Sequence, residues 1–118
     1  MPQSFYWACR YSVEDYDVKK LYISESGCST DDASGSDGRV MDLERVQWLR
    51  SHFQEARRAL HEGLPLKGYF VWSLMDNFEW AEGYLKRFGI HFVDYETQER
   101  VPKASAHYLK EVIRSGRL

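Results

Sequence analysis

A chain of 118 residues has the length of one domain, and 43% hydrophobic with 29% charged residues marks it as globular rather than disordered. Its 16 basic and 18 acidic residues, net -2, are spread along the sequence, which excludes the clustered Lys and Arg excess of a nucleic-acid surface. No apolar run approaches the roughly 20 residues that span a bilayer, so no membrane partner is expected.

The elements follow in chain order. Over residues 2–16, Phe5, Cys9, Val13 and Tyr16 recur at helical spacing behind Pro2, which a first turn accepts. Leu21-Tyr22-Ile23 is a short apolar run expected as a buried parallel strand, and it breaks into a turn at Glu25-Ser26-Gly27. Residues 29–39 are rich in Ser, Asp and Gly without apolar period. Asp31, Asp32 and Asp37 in that loop are read as solvated surface, with calcium ligation as the alternative. Asp42 is placed to N-cap a helix in which Leu43, Val46, Leu49, Phe53, Ala56 and Leu60 recur at steps of three and four. Gly63 and Pro65 stop it. Gly68 to Trp72 is a second buried strand, residues 76–87 a long aromatic loop, and residues 88–95 extended again. Ser105, Tyr108, Leu109, Val112 and Ile113 mark a last amphipathic helix behind Pro102. Cys9 and Cys28 lack metal-ligand spacing and are expected as reduced thiols of a cytoplasmic protein, with no targeting segment read ahead of the first helix.

Strand, long helix, strand is a βαβ unit, parallel and right-handed by the usual rule. Both strands end in acidic and aromatic groups, the layout of a sugar-processing site at the C-terminal mouth of a parallel barrel. Such a barrel typically needs about 250 residues, so the fold class is α/β with an incomplete (β/α)8 TIM barrel in this chain. The outer strand edges would be left unpaired, and a complementary barrel segment is expected as partner.

The stretch Trp72-Ser73-Leu74-Met75-Asp76-Asn77-Phe78-Glu79-Trp80-Ala81-Glu82-Gly83-Tyr84, with Lys86-Arg87-Phe88-Gly89-Ile90 and Val93-Asp94-Tyr95 behind it, resembles the C-terminal end of family 1 glycoside hydrolases, the retaining β-glucosidases. Tyr22-Ile23-Ser24-Glu25-Ser26-Gly27 is similar to that family's nucleophile motif, and the resemblance runs through Pro102-Lys103-Ala104-Ser105-Ala106. It implies that residues 1–118 are the C-terminal part of one barrel domain, with strand 7 near 21–24 and strand 8 near 68–72. The implied complement is an N-terminal barrel segment. The implied chemistry is hydrolysis of terminal β-D-glucosyl residues by double displacement, without a cofactor or metal. Glu25 matches the nucleophile, Trp72 the platform under the glycone ring, and Glu79 the acid that grips the 4- and 6-hydroxyls. Trp80 matches the indole that donates to the 3-hydroxyl, and Phe88 a ring near the 6-position. Family members acting on 6-phosphorylated sugars lack the acid at position 79, so a neutral β-glycoside is implied.

Asp76 and Asn77 are expected to organise the loop rather than to touch sugar. His91 and His107 are expected in structural roles. Two departures from the family pattern are small: Ser24 stands where Thr is common and Ser26 where Asn is usual. A larger one is that no Thr-x-Asn-Glu-Pro motif occurs, so the acid/base glutamate is missing from the chain. Retaining hydrolysis needs two carboxyl groups about 5–5.5 Å apart. The isolated chain is therefore expected to be inactive, and a catalytically silent split-barrel fragment that binds sugar or a partner chain is the alternative reading.

Overall fold

A computed structural model describes all residues 1–118. The first helix, α1, spans Gln3–Tyr16. Tyr6 and Cys9 form its buried stripe, with Phe5 and Val13 half-buried beside them. Tyr16, expected on that stripe, is instead 79% exposed, because the helix ends there and Asp17 turns left-handed at φ 52°. The buried Tyr6 ring lies under the Arg58 guanidinium at 3.7 Å, and its hydroxyl bonds the Glu62 carboxylate, which Arg10 also reaches at 2.9 Å. These contacts clip α1 to the C-terminal end of the long helix α2, Leu43–His61.

On α2 the buried positions are Arg45, Leu49, Phe53, Ala56 and Ala59. The stripe is therefore rotated from the expected one: Leu43 and Leu60 are exposed, and an arginine occupies the buried phase of the first turn. Arg45 is tolerated inside because carboxylates meet it there, as described below. Asp42 precedes α2 but makes no side-chain cap bond to it. Its carboxylate accepts instead from the Ser105 N–H (2.9 Å) and hydroxyl (2.5 Å), in the first turn of the last helix, α3, Ala104–Ser115. The expected capping residue thus satisfies a free N–H of a different helix.

Strands β1 (Leu21–Ser26) and β2 (Leu66–Val71) pair in parallel, with Tyr22 opposite Gly68, Ile23 opposite Tyr69 and Ser26 opposite Val71. The pairing is irregular between Ile23 and Ser26, the interval that contains Glu25. The other extended segment is shorter than expected. Only His91–Val93 forms a strand, β3, which pairs antiparallel with β4, Arg100–Pro102. One face of the β1–β2 pair packs on the helices through Tyr69, which meets Phe5 at a tilt (5.5 Å between ring centroids) and Phe53 edge to face (5.0 Å).

Much of the other side is bare. Tyr22, Phe70 and Leu74 are each more than half exposed, and Trp72 is 37% exposed. A further groove of ≈ 490 Å³ opens between α2, β2 and α3, lined by Leu60, Phe70, Leu74, Val112 and Ile113. The radius of gyration is 15.8 Å, against about 13.5 Å for a compact domain of this length. The chain is a slab 21 Å thick, in which helices cover one face of the β1–β2 pair and β3–β4 forms a second small sheet. No helix is long and apolar enough to cross a membrane, and both cysteines are free thiols.

Exposed apolar surface of this extent binds hydrophobic dyes. The 118-residue chain is expected to enhance anilinonaphthalene sulfonate fluorescence, and the Phe70→Ser/Leu74→Ser double variant to enhance it less at unchanged far-UV circular dichroism. Equal dye binding by the two proteins would contradict an exposed sheet face.

Candidate active site

The C-terminal ends of β1 and β2 lie side by side. The Trp72 N–H donates to the Ser26 carbonyl at 2.9 Å, which extends the β1–β2 pairing one residue past the end of β2. Ser26 Oγ and the Tyr69 hydroxyl share a hydrogen bond of 2.7 Å, so the serine found where the family pattern has Asn still ties β1 to β2. Gly27 permits this closeness: a Cβ there would fall 1.8 Å from the Trp72 carbonyl oxygen. Glu25 is exposed at this junction. No salt bridge within the chain reaches Glu25 or Glu79, so both carboxylates are left free for other partners.

After Trp72 the chain runs alongside residues 88–91. Ser73 N–H donates to the Phe88 carbonyl (3.1 Å), Ile90 N–H to the Ser73 carbonyl (2.9 Å), and His91 N–H to the Leu74 carbonyl (3.0 Å). Phe88 is thereby brought next to the Trp72 end of β2, half-buried. Glu79 and Trp80 stand further along the loop, where Trp80–Glu82 forms one 3-10 turn and Glu79 N–H donates to the Gly83 carbonyl at 2.7 Å. Trp80 is 82% exposed and its backbone is left-handed at φ 46°. The structure brings Glu25, Trp72 and Phe88 to one mouth, whereas Glu79 and Trp80 are carried on a separate turn of the same loop.

Asn77 Nδ2 donates to Ser73 Oγ and to the Met75 carbonyl, both at 2.9 Å, and His91 Nδ1 lies 3.0 Å from the Leu74 carbonyl. Asp76 is buried beneath the loop. Its Oδ1 accepts from Gly89 N–H (2.9 Å) and Lys103 Nζ (2.8 Å), and its Oδ2 from Arg87 Nη1 (2.7 Å) and Val93 N–H (3.3 Å). Gly89 can approach this closely only as glycine, since a Cβ would lie 2.1 Å from the Asp76 nitrogen.

Asp76 belongs to a buried cluster of three acids and three bases. Lys103, with no exposed surface, joins Asp76 to Asp32 at 2.6 Å. Arg45 binds the same Asp32 oxygen at 2.8 Å, pairs with Asp42, and donates to Thr30 Oγ1 and the Arg87 carbonyl, both at 2.6 Å. Arg87 closes the set on Asp76 and lies over the rings of Phe92 (4.1 Å) and Tyr95 (4.6 Å). Asp32 was expected on a solvated surface; its side chain is 1% exposed because two cations and the Thr30 hydroxyl take up its lone pairs. Burial raises the Asp32 pKa, but hydrogen bonds from Arg45, Lys103 and Thr30 outweigh it and hold the group below the usual carboxylate range. Spacing arguments passed over Arg45, Arg87 and Lys103. The available signal was Arg45 itself, a charged residue one turn before Leu49 on the apolar stripe.

A family model described as "Glycosyl hydrolase family 1" matches residues 1–117. Beta-glucosidase A of Thermotoga maritima is 48% identical over 118 residues, which are 100% of this chain and 26% of that protein. The 6-phospho-beta-galactosidase of Staphylococcus aureus is 43% identical over 113 residues, 94% of this chain and 24% of that protein. The solved structure of a family 1 b-glucosidase from Thermotoga maritima in complex with isofagomine lactam matches with a TM-score of 0.98 at 48% identity, over 100% of this chain and 27% of that one. The chain belongs to glycosyl hydrolase family 1. It spans about a quarter of the length of these relatives, an α/β part of their barrel.

Removing one partner from a buried ion cluster leaves an uncompensated charge. Arg45→Met is expected to lower unfolding free energy by about 3–5 kcal/mol in urea titrations. The pH dependence carries a definite sign. Because the folded-state pKa of Asp32 is depressed, its contribution is present above the ordinary value of 3.8 and is lost as pH falls through the lower folded-state value. The stability gap between the wild type and Asp32→Asn should therefore be full at pH 6 and shrink below about pH 4; a gap independent of pH would contradict it.

Proposed function

We propose that this chain supplies the nucleophile and part of the glycone pocket of a retaining β-glucosidase, the remaining barrel strands supplying the acid/base carboxyl. The observation that carries this reading is the junction of β1 and β2, where the free Glu25 carboxylate and the half-exposed Trp72 ring flank a shared main-chain bond. In the first step a Glu25 carboxylate oxygen attacks the anomeric carbon, and the glycosidic oxygen departs with a proton from the acid on the complementary segment. In the second step water, deprotonated by that same group, displaces Glu25 from the ester and restores the original configuration. Trp72 offers a flat apolar face to the sugar's C–H groups. An ionised Glu79 is acceptor-only and can take two hydroxyl protons, whereas the Trp80 indole only donates, so the two read different hydroxyls. A carboxylate at position 79 repels a 6-phosphate. This favours neutral glycosides despite the similarity to a protein named as a 6-phospho-galactosidase.

A hybrid barrel, in which these 118 residues replace the matching segment of the Thermotoga maritima enzyme, tests the proposal. A 2-deoxy-2-fluoro-β-glucoside with an activated leaving group is expected to add one glycosyl mass to the peptide containing Glu25. Glu25→Gln should lower kcat on aryl β-glucosides by at least about 10³-fold. An active hybrid that labels elsewhere, or that tolerates Glu25→Gln, would refute the assignment. The 118 residues alone are expected to hydrolyse nothing, since one carboxyl of the pair is absent from them.

A further inference from the structure

We infer that Lys103 is a positioning residue for the sugar-binding loop, holding the start of that loop in register with the loop that follows Glu25. The inference rests on reading Glu79 as a sugar ligand. Lys103 lies far from the junction in sequence, immediately before α3, and its own main chain is fixed on both sides. Its N–H donates to the Ile90 carbonyl and the N–H of Ala104 donates to the Val40 carbonyl, both at 3.0 Å. The position of its ammonium group is therefore set by the scaffold.

From there the ammonium donates to two carboxylates that belong to different loops. Asp32 follows β1, and Asp76 sits between Trp72 and Glu79. The other ties between these loops, from Thr30 N–H (3.2 Å) and Arg45 (2.6 Å), end on the Arg87 carbonyl, at the far end of the aromatic loop. Lys103 is the tie that reaches Asp76. Without it Asp76 keeps Arg87 and the amides of Gly89 and Val93, so the loop stays folded on itself. What is lost is the direct link of Asp76 to Asp32, so the β1 side is then reached only through the Arg87 carbonyl and the Trp72 bond to Ser26. Reacting groups displaced by about 1 Å can cost about 10²-fold in rate, which makes the coupling a matter of function.

The hybrid barrel described above carries the test, with Lys103→Met and the charge-conserving Lys103→Arg, whose larger planar fork replaces the compact ammonium between the two carboxylates. The first readout is kcat/KM on an aryl β-glucoside and on its 4-deoxy analogue. A positioning role predicts a loss of about 10²-fold on the glucoside for Lys103→Met, and a much smaller loss on the analogue, which has no 4-hydroxyl for a displaced Glu79 to miss. Lys103→Arg should move the two substrates in the same order. Equal losses on both would mean a merely structural lysine and would overturn the inference. The second readout is amide exchange, expected to quicken in both variants at Thr30, whose N–H crosses between the two loops to the Arg87 carbonyl at 3.2 Å, while the Leu21 amide, bonded to the Pro65 carbonyl at 2.9 Å, keeps its rate. Unchanged exchange at Thr30 would also overturn it. If the unaltered hybrid hydrolyses no glucoside, the glycosidase reading fails, and the exchange rates alone decide whether Lys103 fixes the loop.

Discussion

The Asp32 carboxylate, shared between Lys103 and Arg45, is the contact on which the mouth of this structure depends. Two parallel strands give only a narrow platform, and the loops that leave them have little sheet to rest on. Asp32 joins the loop after β1 to the start of α2 through Arg45, and to the start of α3 through Lys103. From Lys103 the chain of contacts passes to Asp76 and the aromatic loop, and from Arg45 to Asp42 and the first turn of α3. Four segments distant in sequence are thus held at one point by charge-assisted hydrogen bonds, which are shorter and stronger than neutral ones.

A buried ion cluster is an expensive way to join loops, because each charge gives up its hydration. Two features offset the cost here. The formal charges balance, with Asp32, Asp42 and Asp76 against Arg45, Arg87 and Lys103, and the acids have hydrogen-bond donors beyond their ion partners. An apolar cluster of the same volume could be as stable. It would not hold the loops to single hydrogen-bonded positions, and a loop proposed to grip hydroxyls needs angular fixity. Asp76 illustrates the point: four donors converge on its two oxygens, leaving that residue little freedom to shift while Trp72 and Phe88 stay paired with their neighbours.

The elements were legible in the sequence where their period was local. The helices, the two parallel strands and the aromatic loop follow from spacing, turn residues and length, although the strands expected to be buried leave one face open. The acid and aromatic groups at the strand ends followed from the same reading, because one motif carries most of them. What escaped was whatever depends on partners far away in the chain. Asp32 looks like any acid in a Ser, Asp and Gly-rich loop, and only Arg45 and Lys103 make it buried. Asp42 has the residue type and place of an N-cap, yet Ser105 competes for its carboxylate and wins. Tyr16 continues the spacing of α1, but the helix ends before the spacing can matter. In each case local chemistry offered a correct option and the tertiary fold chose another.

On the proposed glycosidase reading, the same contrast explains how catalytic competence would be divided. The setting of Glu25, the proposed nucleophile, is local to this chain: β1, the Gly27 turn and the Trp72 bond to Ser26. A retaining site also needs a second carboxyl at a fixed separation of about 5–5.5 Å, and that separation is measured across strands this chain does not supply. The exposed face of Tyr22, Phe70 and Trp72 has to be covered, and the free edges paired, before such a distance is defined. Completing the barrel is therefore a condition for the chemistry as well as for stability. The buried cluster bears on this too, since it lies beneath the loops and is already closed within the 118 residues. Incoming strands meet an aromatic loop whose anchor is set, and the geometry left for them to determine is that of the acid/base group relative to Glu25.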